Sequence, residues 1–133
     1  MIPTILIIDD DLVSQFATRY SIEQNAIKTS INVCDSAEEA LTQISNRIKN
    51  EESFPEVILL DLVMPGMGGW EFIEKLQKVY SIPKDTKIFI LSAFTNSKDR
   101  KKAKEHLSIA GYYDKPLTRN SANSILTTSV SLK

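Results

Sequence analysis

The chain has 133 residues, 42% of them apolar and 25% charged, with a formal net charge of −1. That length suits one ordinary domain and is short for two, and the mixture excludes a disordered tail or a disulfide scaffold. A near-zero charge gives no reason to expect nucleic acid or an anionic membrane as the main partner. The lone Cys34 cannot form an internal disulfide, and no apolar run approaches the roughly 20 residues that span a bilayer. Met1-Ile2-Pro3-Thr4 also lacks the features of a secretory signal, so a cytoplasmic protein is expected.

Thr4 to Ile8 is a short β-branched run that stops at Asp9, Asp10 and Asp11, the pattern of a buried strand reaching a polar edge. Val13, Phe16, Ala17 and Tyr20 then recur at helical spacing, with Asp11 placed to cap the first turn. Ile31 to Cys34 forms a second strand. Ser36-Ala37-Glu38-Glu39 reads as a capping box opening a helix with Ala37, Ala40, Leu41, Ile44 and Ile48 on its apolar face. Lys49 to Pro55 is the return loop, and Val57 to Leu60 is a third strand ending at Asp61.

The turn from Met64 to Gly69 holds one proline and three glycines. The helix after it shows Trp70, Ile73, Leu76, Val79 and Tyr80 along one face and ends at Ile82-Pro83; Trp70 is expected in core or rim packing beside the turn. Lys87 to Leu91 is the fourth strand, Asn96 to His106 a very polar helix, and Gly111 to Tyr113 a short fifth strand running into Asp114, Lys115 and Pro116. Ser121 to Leu132 keeps a loose helical spacing of Ile125, Leu126 and Val130, but its Ser and Thr content predicts a weak, fraying final helix.

Strands alternating with helices imply a parallel sheet with right-handed crossovers and helices on both faces. Ligands of such sheets bind beyond the carboxyl ends of the strands. There the chain places Asp9 and Asp10, Asp61, Ser92 and Lys115. Three carboxylates in one crevice raise one another's pKa unless a cation compensates, and an open all-oxygen cluster suits magnesium better than zinc or iron. A phosphoryl group on Asp61 would find the cation, the Ser92 hydroxyl and the Lys115 ammonium as partners. Asp61 as nucleophile follows the carboxylate-to-acyl-phosphate route. Taken singly, each acid is more readily a helix cap or a turn residue than a chemical group; their joint placement is what argues for chemistry.

These residues carry a resemblance to the receiver domain of two-component response regulators over nearly the whole chain. Ile7-Ile8-Asp9-Asp10 resembles the family's acidic pair and Asp61 through Gly69 its D-x-x-M-P-x-M-x-G loop. Leu91-Ser92-Ala93 resembles its hydroxyl motif, and Lys115-Pro116 its lysine followed by a cis-bonded proline. The resemblance implies a flavodoxin-like (βα)5 doubly wound α/β fold, a five-stranded parallel sheet in the order 2-1-3-4-5. A single receiver domain over 1–133 is expected, with its core at about 3–120 and the weak helix at about 118–131.

Asp10, Asp61 and the backbone carbonyl of Val63 are implied to hold Mg2+, with Asp9 acting through water, and Asp61 to receive a phosphoryl group from a histidine kinase or histidine phosphotransfer protein. Ser92 and Tyr112 are implied to act as the switch that repacks the surface of the fourth helix, fifth strand and fifth helix, where a downstream protein binds. The chain is then a stand-alone signalling domain that catalyses only its own phosphorylation and dephosphorylation, with neither nucleic acid nor membrane as a direct partner. The alternative is a pseudo-receiver that acts by binding alone. Gly68 stands where an acid is frequent, Ser92 is the less usual hydroxyl, and the apolar Val63 and Phe94 are expected to shield an acyl phosphate from water. The run Ser97 to Glu105, with five cations against two acids, is either a solvated helix face or a site for an acidic partner surface. Flavin-binding and haloacid-dehalogenase-type readings fail, the first because acids replace a phosphate cradle after the first strand, the second because Val63 replaces the second acid of Asp-x-Asp.

Overall fold

The computed structural model describes residues 2–93 and 96–130, with side chains as far as Thr128. Phe94, named above for shielding, and the last residues of the expected final helix lie outside the described residues. Strands and helices alternate as β1 (Thr4–Ile8), α1 (Leu12–Glu23), β2 (Ser30–Cys34), α2 (Ala37–Lys49), β3 (Val57–Leu60), α3 (Gly69–Val79), β4 (Lys87–Ser92), α4 (Ser97–Glu105), β5 (Ile109–Asp114) and α5 (Arg119–Val130). All pairings are parallel and the order is β2-β1-β3-β4-β5, the flavodoxin-like arrangement expected.

The central strands are apolar at every position because both faces are covered, and the period of two sorts their side chains. Leu6, Ile8, Ile58, Leu60 and Ile88 meet Ala40 and Ile44 of α2 and Phe72, Ile73 and Leu76 of α3. Ile5, Ile7, Val57, Leu59, Phe89 and Leu91 turn the other way, onto Ile22 of α1 and Ala122, Ile125 and Leu126 of α5. α5 therefore contributes to the core beyond position 120 despite its Ser and Thr content, since burial outweighs modest propensity.

Two helices differ from their sequence patterns. In α1 the spaced apolar residues face solvent: Val13, Phe16 and Tyr20, joined by Leu12, are 57–76% exposed, while Thr18 and Ile22 are buried. In α3, Val79 is 67% exposed and Phe72 is fully buried in its stead. β5 is longer than the apolar run Gly111 to Tyr113, and its pairing with β4 shifts register at Ile88/Phe89, leaving Ala110 without a Cα partner.

The ends of α2 are set locally. Ser36 Oγ accepts from Glu39 N–H at 3.0 Å, and Glu39 Oε1 accepts from Asp35 N–H at 2.9 Å, completing the capping box. At the other end Glu52 N–H donates to Arg47 C=O and Glu51 N–H to Ile48 C=O. That double closure needs a left-handed residue, and Glu51 supplies it at φ +59°.

Candidate functional site

The sheet register brings the strand-end acids together. Ile8 and Leu60 are neighbours in the ladder, so Asp9 and Asp61 stand side by side one step beyond. Asp61 N–H donates to Ile8 C=O at 3.0 Å and Asp9 N–H to Cys34 C=O at 3.1 Å, holding both acids at the sheet's carboxyl edge. Asp9 is 2% and Asp61 7% exposed, whereas Asp10 faces solvent. Asp9, Asp10 and Asp61 each offer a carboxylate oxygen within 4.8 Å of the others.

Lys115 reaches this cluster from beyond β5. Its Nζ lies 2.7 Å from Asp9 Oδ2 and 3.4 Å from Asp61 Oδ2, with its side chain 14% exposed. Its backbone N–H donates to Ser92 C=O at 2.8 Å, which ties the β5–α5 turn to the end of β4, and the Lys115-Pro116 peptide is cis, as the motif implied. Ser92 is buried at that end of β4. Val63 N–H donates to Asp61 Oδ1 at 3.4 Å, and the Val63 side chain is 62% exposed.

Burial pushes the Asp61 carboxyl above its ordinary range by disfavouring the charged form. The Lys115 ammonium pulls it down, the Asp9 carboxylate raises it again, and the Val63 amide lowers it. Burial also pushes the Cys34 thiol up to about 12, helped by Glu39 and Asp35, so this cysteine stays protonated and packs as an apolar residue.

Sequence reasoning missed the residues that brace these groups. Asp9 is held at both oxygens: Oδ1 accepts from Asp11 N–H at 3.0 Å, and Oδ2 accepts from Ser14 Oγ at 2.5 Å besides Lys115. Gln15 Nε2 links Asp9 C=O to Asp35. Ser14 and Gln15 follow the capping Asp11 in the first turn of α1, where a hydroxyl or amide can reach back to the strand end, and that position was their only signal.

The loop after Asp61 is held by Glu38, whose Oε2 accepts from Met67 N–H at 3.3 Å. Gly69 is required by space: a Cβ there would lie 2.8 Å from Asp61 C=O and 2.9 Å from Leu62 Cα. Trp70 packs at the rim. Its Nε1 donates to Asp99 Oδ1 at 3.1 Å and Lys102 Nζ sits 4.6 Å from its ring centroid, so α3 is tied to α4 next to the acidic pocket. Tyr112 lies half-buried on β5 among Leu62, Ile90 and Ala103, with Arg100 Cζ 4.7 Å from its ring centroid. Tyr112 thus stands between the strand that leads to the pocket and α4.

Residues 5–127 match the response regulator receiver domain family. The chain is 32% identical to the transcriptional regulatory protein YdfI of Bacillus subtilis over 80% of this chain and 42% of that protein. It is 28% identical to the probable C4-dicarboxylate response regulator DctR of Halalkalibacterium halodurans, over 92% of this chain and 49% of that protein. The chain thus spans about half the length of the curated relatives it matches. Among solved structures, a two-component response regulator from Cytophaga hutchinsonii superposes with a TM-score of 0.90 at 25% identity, covering 98% of both chains. One from Legionella pneumophila gives 0.81 at 32% identity, covering 97% of this chain and 98% of the other.

A five-stranded parallel sheet with acids, hydroxyl and lysine at its carboxyl edge defines a signalling rather than a metabolic domain. The chain belongs to the response regulator receiver domain family of two-component systems. Receiver domains are phosphorylated by histidine kinases or phosphotransfer proteins and bind Mg2+ at an acidic pocket, and the donor set of Asp9, Asp10 and Asp61 fits such a hard cation. No helix among the described residues is long and apolar enough to cross a membrane.

Proposed function

We propose that Asp61 is the phospho-acceptor of a cytoplasmic receiver domain that signals through protein contacts. The observation that carries this reading is Lys115 Nζ set between Asp9 and Asp61, beside a third carboxylate. In the transfer, an Asp61 carboxylate oxygen attacks the phosphorus of a phosphohistidine as the P–N bond breaks, and the imidazole leaves with the electron pair. Asp9, Asp10, Asp61 and the Val63 carbonyl are the groups to hold Mg2+, which supplies charge neutralisation at the reacting oxygens. Lys115 then pairs with a phosphoryl oxygen and the Ser92 hydroxyl donates to another. Movement of Ser92 and Tyr112 repacks the α4-β5-α5 surface, which a downstream protein reads as a shift between two packings.

The donor protein finds its landing on α1. Leu12, Val13, Phe16 and Tyr20 occupy an arc of about 100° on that helix. Their stripe starts within the same turn as Ser14, which is bonded to Asp9, so a donor packed on it stands beside the acids.

The test is incubation with acetyl phosphate and Mg2+, followed by intact-mass measurement. One phosphoryl mass is expected on the chain, lost with Asp61→Asn and with chelator. No adduct, or an adduct that survives Asp61→Asn, sinks the reading in favour of a pseudo-receiver acting by binding alone. The retained acids, hydroxyl and lysine speak against that alternative.

A further inference from the structure

Asp9 is the most deeply buried acid of the pocket, 2% exposed against 7% for Asp61. A carboxylate that far from water needs donors, and its two oxygens offer about four lone-pair sites. The donors come from three segments. Asp11 N–H reaches Oδ1 from the turn after β1, while Lys115 Nζ, from the turn after β5, and Ser14 Oγ, from α1, both reach Oδ2.

Helix α1 does not need the Ser14 hydroxyl for itself. Asp11 already caps the first turn by accepting from Val13 N–H at 3.4 Å. Ser14 is half-buried at the third helical position, where a serine ordinarily turns to nearby backbone or to water. Here it reaches back to a side chain at the end of β1.

The bond acts on Asp9 in two ways. With Oδ2 occupied by the hydroxyl and the ammonium, the otherwise soft rotation of the carboxylate is blocked. Oδ1, which accepts only from Asp11 N–H among the described residues, is then the oxygen with capacity left for a metal-bound water. The hydroxyl also shares Oδ2 with Lys115, so the ammonium is not held by Asp9 alone and stands 3.4 Å from Asp61. Without the hydroxyl, Asp9 closes on the ammonium, and a divalent cation meets a stronger resident competitor beside a poorly oriented carboxylate.

We infer that Ser14 is a positioning residue of the metal pocket: by donating to Asp9 Oδ2 it orients that carboxylate for Mg2+ and weakens the hold of Asp9 on Lys115. The inference rests on the reading of Asp9, Asp10 and Asp61 as a Mg2+ site and adds a residue that lies outside the strand-end motifs.

The experiment follows Mg2+ binding by the full chain through the 1H–15N shift of the Val63 amide, with Ser14→Thr, Ser14→Val and Ser14→Ala beside the wild type. Thr and Val have nearly the same shape and differ by the hydroxyl, and the dispersion of each spectrum reports whether the variant is folded. Ser14→Thr is expected to keep Kd within about twofold of wild type, and Ser14→Val and Ser14→Ala to weaken binding roughly tenfold. Urea melts in metal-free buffer read the shared oxygen directly. Ser14→Ala lowers the folding equilibrium constant at least about threefold more in a Lys115→Met background than in wild type, because Ser14 is there the remaining donor to Oδ2.

Wild-type Mg2+ affinity in Ser14→Val and Ser14→Ala, equal weakening by Ser14→Thr and Ser14→Val, or an equal cost of Ser14→Ala in both backgrounds overturns the inference. Unfolding of Ser14→Val and Ser14→Ala assigns the hydroxyl to structure alone and overturns it as well. A wild type with no Mg2+-dependent shift overturns the pocket reading and the metal role of Ser14 together, whereas wild-type binding that ignores the hydroxyl overturns Ser14 alone. Adduct formation at Asp61 is read separately, so its failure leaves the contrast between Ser14→Thr and Ser14→Val standing.

Discussion

Lys115 Nζ sits 2.7 Å from Asp9 and belongs to an ion pair that is nearly sealed from solvent, at 14% and 2% side-chain exposure. It thereby acts as the resident cation of a pocket with three carboxylates. Lys115→Met removes that charge and leaves Asp9 and Asp61 facing each other, so the metal-free chain loses roughly 1–4 kcal/mol, below the full cost of breaking a buried pair because Lys115 keeps some solvent. The same variant binds Mg2+ more tightly, since a competing cation is gone. Urea melts and calorimetric Mg2+ titration check the two opposed signs; weaker Mg2+ binding by Lys115→Met counts against the pocket assignment.

Asp61 sets an acid-side pH dependence. Its folded pKa lies above the ordinary 3.8, so over the window from 3.8 upward to the folded value the native state binds more protons than the unfolded one. Stability therefore falls as pH rises through that window, and the loss persists at neutral pH when no metal is bound. Asp61→Asn is expected to raise the melting temperature at pH 7 without Mg2+ and to flatten this acid-side slope. A variant that melts lower at pH 7 contradicts the burial argument.

The Trp70 to Asp99 hydrogen bond spans α3 and α4. Asp99→Ala leaves the indole N–H unpaired and removes an acid from the first turn of α4, at a cost of about 1–2 kcal/mol. Asp99→Asn, which keeps an acceptor oxygen, costs less. Trp70 emission should shift and α4 amides exchange faster in the alanine variant; unchanged exchange across α4 argues that the contact is incidental.

Glu51 holds a left-handed conformation at the end of α2, φ +59°, where glycine is free of Cβ strain. Glu51→Gly is expected to stabilise the chain by about 0.5–1 kcal/mol after the entropy of the unfolded glycine is counted. Denaturant midpoints measure it, and a lowered midpoint refutes it.

On α1, Phe16 is 72% exposed, so Phe16→Asp should move stability by no more than about 0.5 kcal/mol. If a phosphohistidine protein lands there, the substitution slows phosphorylation from that protein and leaves the rate from acetyl phosphate unchanged. Equal slowing of both donors places the effect in the pocket instead.

Most of the architecture was legible in the residues. Thr4–Ile8, Val57–Leu60 and Lys87–Leu91 read as strands, the last one residue short of β4, because a parallel sheet covered on both faces needs apolar side chains along them. Ser36 and Glu39 announced α2 through a cap whose partners are three residues apart, a contact that local sequence can encode in full. The edge strand β5 was read short because Ile109 and Asp114 extend it by pairing with β4, and pairing is not a property of one segment.

The facing of α1 was illegible for a different reason. Spacing states which residues share a face and not where that face turns. Val13, Phe16 and Tyr20 point outward because α1 packs through Thr18 and Ile22, while α5 covers the neighbouring core.

For Asp61, the sequence by itself determined the group and its company: an acid at a strand end, with further acids, a serine and a lysine at other strand ends, because strand termini and motif spacings are local. It took the packed fold to set Lys115 across Asp9 and Asp61, to bring Ser14 and Gln15 onto Asp9, and to join α3 to α4 through Trp70. Those contacts join segments whose separation in space depends on sheet register and helix packing. No single segment carries that information.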